Sequence, residues 1–209
     1  MKTKYNLPKP YLSYSAIQTW LKNKDEYRAR YYEDKPYTST VYTIFGSKVH
    51  KDIEDGKLEV KDHPIPQYTN EVKMLLHIDD VPVLGYIDLL DEESLRLADI
   101  KTGLMMPDGK PRWTRAEVQK LDQLPFYQLL VKEKYGKVHR TAGLIWLVTE
   151  WETVKNGIAT DSNLRLTGDQ HAFRRVIAQR ERDRMRDLIV KVAQEVSEDY
   201  KYYKTVRSQ

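Results

Sequence analysis

Three residues in the stretch GYIDLLDEESLRLADIKTG (85–103) have types and spacing suited to chemistry: Asp88, Asp99 and Lys101. If Leu90 and Leu95 close a four-residue turn, position 88 faces 97 and position 86 faces 99. Side chains alternate along a strand, so Asp88, Asp99 and Lys101 then share one face, while Ala98 and Ile100 point to the other. A slip of one residue would separate Asp88 from the other two. Two carboxylates held together repel each other, and burial raises their affinity for protons unless a cation neutralises them. Hard oxygen donors suit Mg2+ or Mn2+, and a lysine on the same face supplies a point charge for a phosphate or an attacking water. That combination fits metal-assisted phosphodiester hydrolysis. Taken alone, the stretch reads equally as a solvent-facing hairpin, because D-x-K triplets arise by chance.

The elements that must position these residues follow from periodicity. LSYSAIQTWLKNKDEYRARYYED (12–34) predicts one helix, capped by Ser13 or Ser15. IFGSKVHKDIEDGK (44–57) predicts a second, ending near Gly56, with Val49 and Ile53 inward and His50 and Glu54 on a neighbouring stripe. Residues 57–80, with Pro64 and Pro66, predict short strands and a turn. VPVLGYIDLL and SLRLADIKT are strands joined by DEES, whose acids Asp91, Glu92 and Glu93 read as a solvated loop. MMPDGKPRW is a loop with turn residues at Pro107, Asp108 and Gly109. RAEVQKLDQLPFYQLLVKEKYG predicts a helix with Pro125 kinking its middle. RTAGLIWLVTEWE reads as a long apolar strand, central in a sheet. From about Thr167 to residue 200, Phe173, Ile177, Met185, Leu188, Ile189, Val192 and Val196 predict a long amphipathic C-terminal helix. No repeat or Gly/Ser linker divides the 209 residues, so the expectation is one α/β domain (1–209), a mixed central β-sheet flanked by α-helices.

Composition excludes several classes of function. The chain has no cysteine, which removes disulfides, zinc–thiolate sites, iron–sulfur clusters and thiol nucleophiles together. A net charge of +4 on 209 residues is a weak sign of a nucleic-acid partner. Fifteen tyrosines and four tryptophans could stack on bases, although core and surface packing accounts for most aromatic residues. The N-terminus lacks an apolar targeting core and no run reaches membrane-spanning length, so a soluble cytoplasmic protein without membrane attachment is expected.

Further parts of a site flank the hairpin in order. Upstream lies GSKVH, with Gly46 and His50; downstream lies QLPFY, with Gln123 and Tyr127 one helical turn apart. With GYID and DIKTG between them, this series resembles the PD-(D/E)XK nuclease superfamily, specifically its RecB-like branch, over roughly residues 12–131. The resemblance implies a restriction-endonuclease-like core and a catalytic Mg2+ or Mn2+ bound by Asp88, Asp99, His50 and the backbone carbonyl of Ile100. It implies that Lys101 orients or activates the water and stabilises the transition state, and that Gln123 and Tyr127 position Lys101 or the DNA backbone. Gly46 would allow close approach of helix, sheet or DNA. Arg112, Trp113 and Arg115, beside the PDGKP loop, are candidates for gripping or wedging DNA, with packing or solubility as the competing explanation. His50, Gln123 and Tyr127 would each be unremarkable alone, as a surface histidine and a polar helix edge.

Two departures from the family pattern bear on the expectation. Ile87 stands where the superfamily name places proline, and Asn23-Lys24 stands where many relatives carry Cys-Pro, which excludes the iron–sulfur variant. No Walker A sequence is present, so strand separation would need a helicase, and a recombinase or annealing protein is a compatible partner, as is self-association. The expected function is therefore a metal-dependent DNA nuclease, an exonuclease of small standalone type acting in phage or bacterial DNA recombination, repair or degradation. The alternatives are an endonuclease of a defence or restriction system and a non-catalytic DNA-binding protein on the same fold.

Overall fold

The computed structural model describes residues 4–61, 68–152 and 163–207. Along the chain run β1 (Leu12–Ser13), α1 (Tyr14–Lys22), α2 (Lys24–Tyr31), α3 (Val41–Glu54), β2 (Thr69–Ile78), β3 (Val81–Asp91) and β4 (Arg96–Leu104). They are followed by α4 (Arg115–Val118), α5 (Gln123–Tyr135), β5 (Thr141–Trp151), β6 (Leu164–Val176) and α6 (Gln179–Arg207). The strands form one mixed six-stranded sheet, in which β4 and β5 are parallel and β5 and β6 antiparallel. Its neighbours are the helices, so the expected α/β architecture is present.

The topology around β3 creates the site. β2 pairs with β3 from Thr69↔Leu90 to Ile78↔Val81 and so occupies one edge along its length. The other edge is divided. β4 pairs only at Leu89↔Ala98, Leu90↔Leu97 and Asp91↔Arg96, whereas β1 takes Val83 and Leu84 in parallel. Beyond position 89 the two strands therefore part, and a fork opens at Asp88 and Asp99. The register differs by two residues from the one expected, because Asp91 rather than Leu90 closes the turn. Its carboxylate accepts from the backbone N–H groups of Glu93 (3.0 Å) and Ser94 (3.2 Å), and Leu95 adopts a left-handed φ of 56°. Asp91 is buried and structural, not part of a solvated loop. A shift of two preserves parity in β4, keeping Asp99 and Lys101 together, and Asp88 joins them at the fork through its bond to the intervening Ile100 N–H.

Helix boundaries depart from the sequence expectation where a local cap overrides periodicity. The N-terminal segment is two helices, because the Asn23 side chain accepts from the N–H groups of Asp25 and Glu26 and starts α2. Ser13 caps α1, accepting from Ala16 N–H at 3.2 Å. Pro125 does not kink a helix. The helix breaks after Val118, and Pro125 falls in the first turn of α5, where its missing N–H costs nothing. The C-terminal helix begins at Gln179, not near Thr167, and residues 164–176 are β6. Phe173 and Ile177 are four apart, an interval that satisfies a strand as well as a helix. Phe173, Arg175 and Ile177 point inward between exposed Ala172, Arg174 and Val176. Residues 69–78 form one long strand rather than short pieces, and Pro64 and Pro66 lie outside the described residues.

Two clusters fill the faces of the sheet. The larger joins α1, α5 and α6 through Ile17, Trp20, Phe126, Leu130, Ile189 and Val196; the smaller seats Phe45, Val49 and Ile53 of α3 on Ala98, Ile100 and Leu147. α5 lies close to β3 because Gly85 has no side chain: a Cβ there would meet Leu130 Cδ1 at 2.4 Å, Phe126 at 3.3 Å and Tyr127 at 3.6 Å. Buried Arg175 donates to the carbonyls of Val118 (3.4 Å) and Leu121 (2.8 Å) and pairs with Glu181. That guanidinium fixes the connection leading into Gln123. Among the described residues, no helix is long and apolar enough to cross a membrane.

Candidate active site at the strand fork

At the fork, Asp88 Oδ2 accepts the Ile100 N–H at 2.6 Å, a donor that regular pairing would have given to β3. This bond fixes the carboxylate between the strands. Its other oxygen lies 3.4 Å from His50 Nδ1, which α3 brings from the opposite layer. Burial disfavours a charged His50 imidazole, but the hydrogen bond and charge of Asp88 outweigh it and raise its pKa.

Asp99 is the most constrained group of the site, at 1% exposure. Burial, opposed by Lys101 and reinforced by Asp88, pushes its pKa up to about 6. Lys101 Nζ stands 3.0 Å from Asp99 Oδ2 and donates to Oδ1 at 3.3 Å; Oδ2 lies off the hydrogen-bonding direction and has no hydrogen bond. Burial works against the Lys101 charge as well, but Asp99 and Asp88 raise its pKa and keep it an ammonium. A third contact comes from α5: Lys101 donates to Gln123 Oε1 at 3.0 Å, and Gln123 Nε2 donates to Tyr127 OH at 2.8 Å. Burial, with the nearby Asp99 and Asp88, raises the Tyr127 pKa well above its usual value, so the phenol stays neutral. The chain Asp99–Lys101–Gln123–Tyr127 is thus one connected row.

Beside the fork lies a cavity of about 620 Å³ between α3 and β4, with Gly46, His50, Ile100 and Lys101 in its wall; Asp88 faces a small adjoining pocket with His50, Glu71 and Ile100, and Asp99 lines neither. A Cβ on Gly46 would lie 3.2 Å from Thr102 Oγ1, so glycine sets the approach of α3 to β4. Arg112, Trp113 and Arg115 are not in this wall. Arg112 lies over Gly103, where a Cβ would meet its Cδ at 2.9 Å; Trp113 is half-buried against the larger core; Arg115 is exposed at the start of α4.

Sequence reasoning did not single out Tyr42 or Glu71, which also line this cavity. Glu71 sits in β2 between the pairs Asn70↔Leu89 and Val72↔Ile87, level with Asp88, and has a left-handed φ of 47°. No motif marks it. Tyr42 could have been found by spacing, since it precedes Gly46 and His50 at intervals of four.

The donors fit a divalent cation by chemistry. Asp99 Oδ2 is a buried carboxylate oxygen without a hydrogen bond, and Asp88 and His50 face the same fork. Among the described residues, no three His, Asp or Glu side chains converge on one point, and the Lys101 ammonium accompanies Asp99.

Comparison with known proteins decides the family. A family model described as the PD-(D/E)XK nuclease superfamily matches residues 58–206. The chain belongs to the PD-(D/E)XK nuclease superfamily. The matched region holds Asp88, Asp99, Lys101, Gln123 and Tyr127, while Gly46 and His50 precede it. Solved structures similar to this PD-(D/E)XK chain include a phage related exonuclease from Haemophilus somnus 129PT, at 12% identity and a TM-score of 0.55, covering 92% of this chain and 82% of that one. An alkaline exonuclease from Laribacter hongkongensis is similar at 12% identity and a TM-score of 0.50, covering 95% and 94%. A third structure, from Eubacterium rectale, has 10% identity and a TM-score of 0.53, covering 90% and 82%. These likenesses establish the restriction-endonuclease-like fold. No curated protein matches the chain by sequence.

Proposed function

We propose that this chain is a metal-dependent deoxyribonuclease, an exonuclease of the RecB-like branch acting as one domain over residues 1–209. The observation that carries the reading is the row at the fork: Asp88 bonded to Ile100 N–H, buried Asp99 paired with Lys101, and Lys101 held by Gln123. A divalent cation, Mg2+ or Mn2+, would be held by Asp88, Asp99, His50 and the Ile100 carbonyl, and when bound it would neutralise the acids, polarise a phosphate oxygen and acidify a water.

The chain's own residues do the rest. Lys101 stands beside the reacting phosphate as a fixed positive charge, orients the attacking water and offsets the charge that builds up on the phosphoryl oxygens. Gln123 holds the ammonium in that place, and Tyr127 holds Gln123. In-line attack on phosphorus breaks the bond to the oxygen opposite the water. Gly46 lets α3 approach β4 at Thr102, and Arg112 and Arg115 add phosphate contacts at the margin, with Trp113 behind them. Affinity for DNA should fall steeply with salt. The exonuclease likenesses support this reading over cleavage within a strand. Recombination, repair or degradation of DNA in the cytoplasm, beside a helicase, recombinase or annealing protein, is the setting that suits a chain without a Walker A sequence.

The experiment is cleavage of linear duplex, linear single-stranded and covalently closed circular DNA with Mg2+ or Mn2+. Mononucleotides or short products from linear DNA, with circles intact, are expected. Cleavage of closed circles would reject an exonuclease, and no cleavage of any substrate would reject the enzyme.

A further inference from the structure

The helix that carries His50 presents a stripe whose other end has no role in the row described above. Tyr42, Gly46 and His50 follow at intervals of four and stand one above another on α3, all in the wall of the same cavity. Eight residues of α-helix span about 12 Å. Midway, Gly46 carries no side chain and lets the Thr102 hydroxyl of β4 lie against the stripe between the tyrosine and the histidine. The adjoining stripe, Thr43, Ser47 and Lys51, is exposed and lines the cavity too, offering the Ser47 hydroxyl and the Lys51 ammonium, with the Thr43 hydroxyl donating to the Thr40 carbonyl at 2.8 Å until a phosphate replaces that acceptor. Among the described residues, Lys51 pairs with Glu54 (3.6 Å) and Asp55 (3.1 Å), exposed contacts that a phosphate could replace.

Tyr42 is a large aromatic residue left 49% exposed in the wall of a cavity that also holds charged side chains. Trp151, at the end of β5, meets its ring at a centroid distance of 5.7 Å and an interplanar angle of 67°. An edge contact of that kind braces a ring while leaving surface uncovered, and an aromatic face beside a hydroxyl and ammonium track is the pattern that binds single-stranded nucleic acid. We infer that Tyr42, braced by Trp151, is a base-stacking residue that positions an unpaired end of the DNA strand, with Thr43, Ser47 and Lys51 following its phosphates toward Lys101. The inference rests on the nuclease reading for the identity of the ligand. At ~3.4 Å per stacked nucleotide, the 12 Å between Tyr42 and His50 correspond to about three or four nucleotides. An unpaired strand can turn any of its bases onto the ring, whereas a duplex offers a base face only at its terminal pair.

Binding of fluorescent single-stranded oligonucleotides by wild type, Tyr42→Ala and Tyr42→Phe, in EDTA, tests this without any cleavage. An abasic residue is placed in turn at each of the first five positions from either end. Stacking of one base makes Tyr42→Ala weaken binding by about five- to a hundredfold on intact oligonucleotide. An abasic residue at one position should weaken wild type by a similar factor, and the two losses should not add. Tyr42→Phe should restore most of the affinity. Equal binding by wild type and Tyr42→Ala, additive losses at every position, or failure of wild type to bind any oligonucleotide would overturn the stacking role. Cleavage with Mg2+ or Mn2+ is scored separately, so loss of the nuclease reading and loss of this inference are distinguishable.

Discussion

Burial of Asp99 makes the stability of the metal-free protein depend on pH in a direction opposite to that of an ordinary salt-bridged acid. The carboxyl is displaced upward from 3.8 to about 6, by burial first, with Lys101 opposing and Asp88 adding to it. In the unfolded chain it ionises at its ordinary value, so between about pH 4 and pH 6 the folded state holds a proton that the unfolded state has released. The contribution of this group is fully present below the unfolded pKa and is lost as pH rises through the folded one. At about 1.4 kcal/mol per pH unit, the loss is on the order of 3 kcal/mol in metal-free protein at pH 7. Asp99→Asn imitates the protonated acid and should remove the dependence. Urea unfolding of wild type and Asp99→Asn in EDTA, from pH 3 to 7.5, follows the group together with the Lys101 and His50 charges that its carboxylate supports, while distant titrating residues cancel in the difference. His50, whose folded pKa is raised chiefly by Asp88 against burial, also loses stability with rising pH, in both proteins but less in the variant, where the smaller contribution of the Asp99 charge is gone. Wild type and variant should be nearly equal at the acid end, and the variant more stable by on the order of 3 kcal/mol at the neutral end. A difference that is flat with pH, or that favours wild type as pH rises, would refute the reasoning. Mn2+ added at pH 7 should stabilise wild type and leave Asp99→Asn almost unchanged.

Two further outcomes follow from packing and from the ligand set. Gly85→Ala places a methyl group 2.4 Å from Leu130 and 3.6 Å from Tyr127, so it should cost about 1–3 kcal/mol in urea unfolding and lower cleavage by moving α5 and Gln123; unchanged stability would mean that α5 does not rest on β3 as described. His50→Ala should lower activity and alter the relative response to Mg2+ and Mn2+ in a metal titration, whereas an unchanged titration would remove His50 from the cation's ligands.

Much of the site was legible in the sequence because strand parity is insensitive to an error of two. The register of β3 and β4 was misplaced by that amount, yet Asp88, Asp99 and Lys101 still fall together. What the sequence could not show is why the fork exists. β1, only two residues long, takes the edge of β3 that β4 abandons, and a two-residue strand leaves no periodic signal. Caps were similarly hidden: Asn23 divides what periodicity reads as one helix, and Asp91 closes the hairpin from a buried position. Phe173 and Ile177 misled because four residues suit both a helix and a strand. Only the surrounding exposure of Ala172, Arg174 and Val176 separates the two. Tyr42 and Glu71, also in the cavity wall, belong to no motif of the family resemblance and became visible through their placement.

The central claim is that the row at the fork hydrolyses DNA, with Lys101 acting on the reacting phosphate. Single-turnover cleavage of a linear end-labelled substrate by wild type, Lys101→Met and Asp99→Asn, at saturating Mg2+ or Mn2+ and with folding checked by circular dichroism, tests it most directly. Both variants should fold and bind DNA while cleaving at least about a hundredfold more slowly, the loss expected when a positioned transition-state charge is removed. Cleavage by either variant at close to the wild-type rate would contradict the assignment of this site.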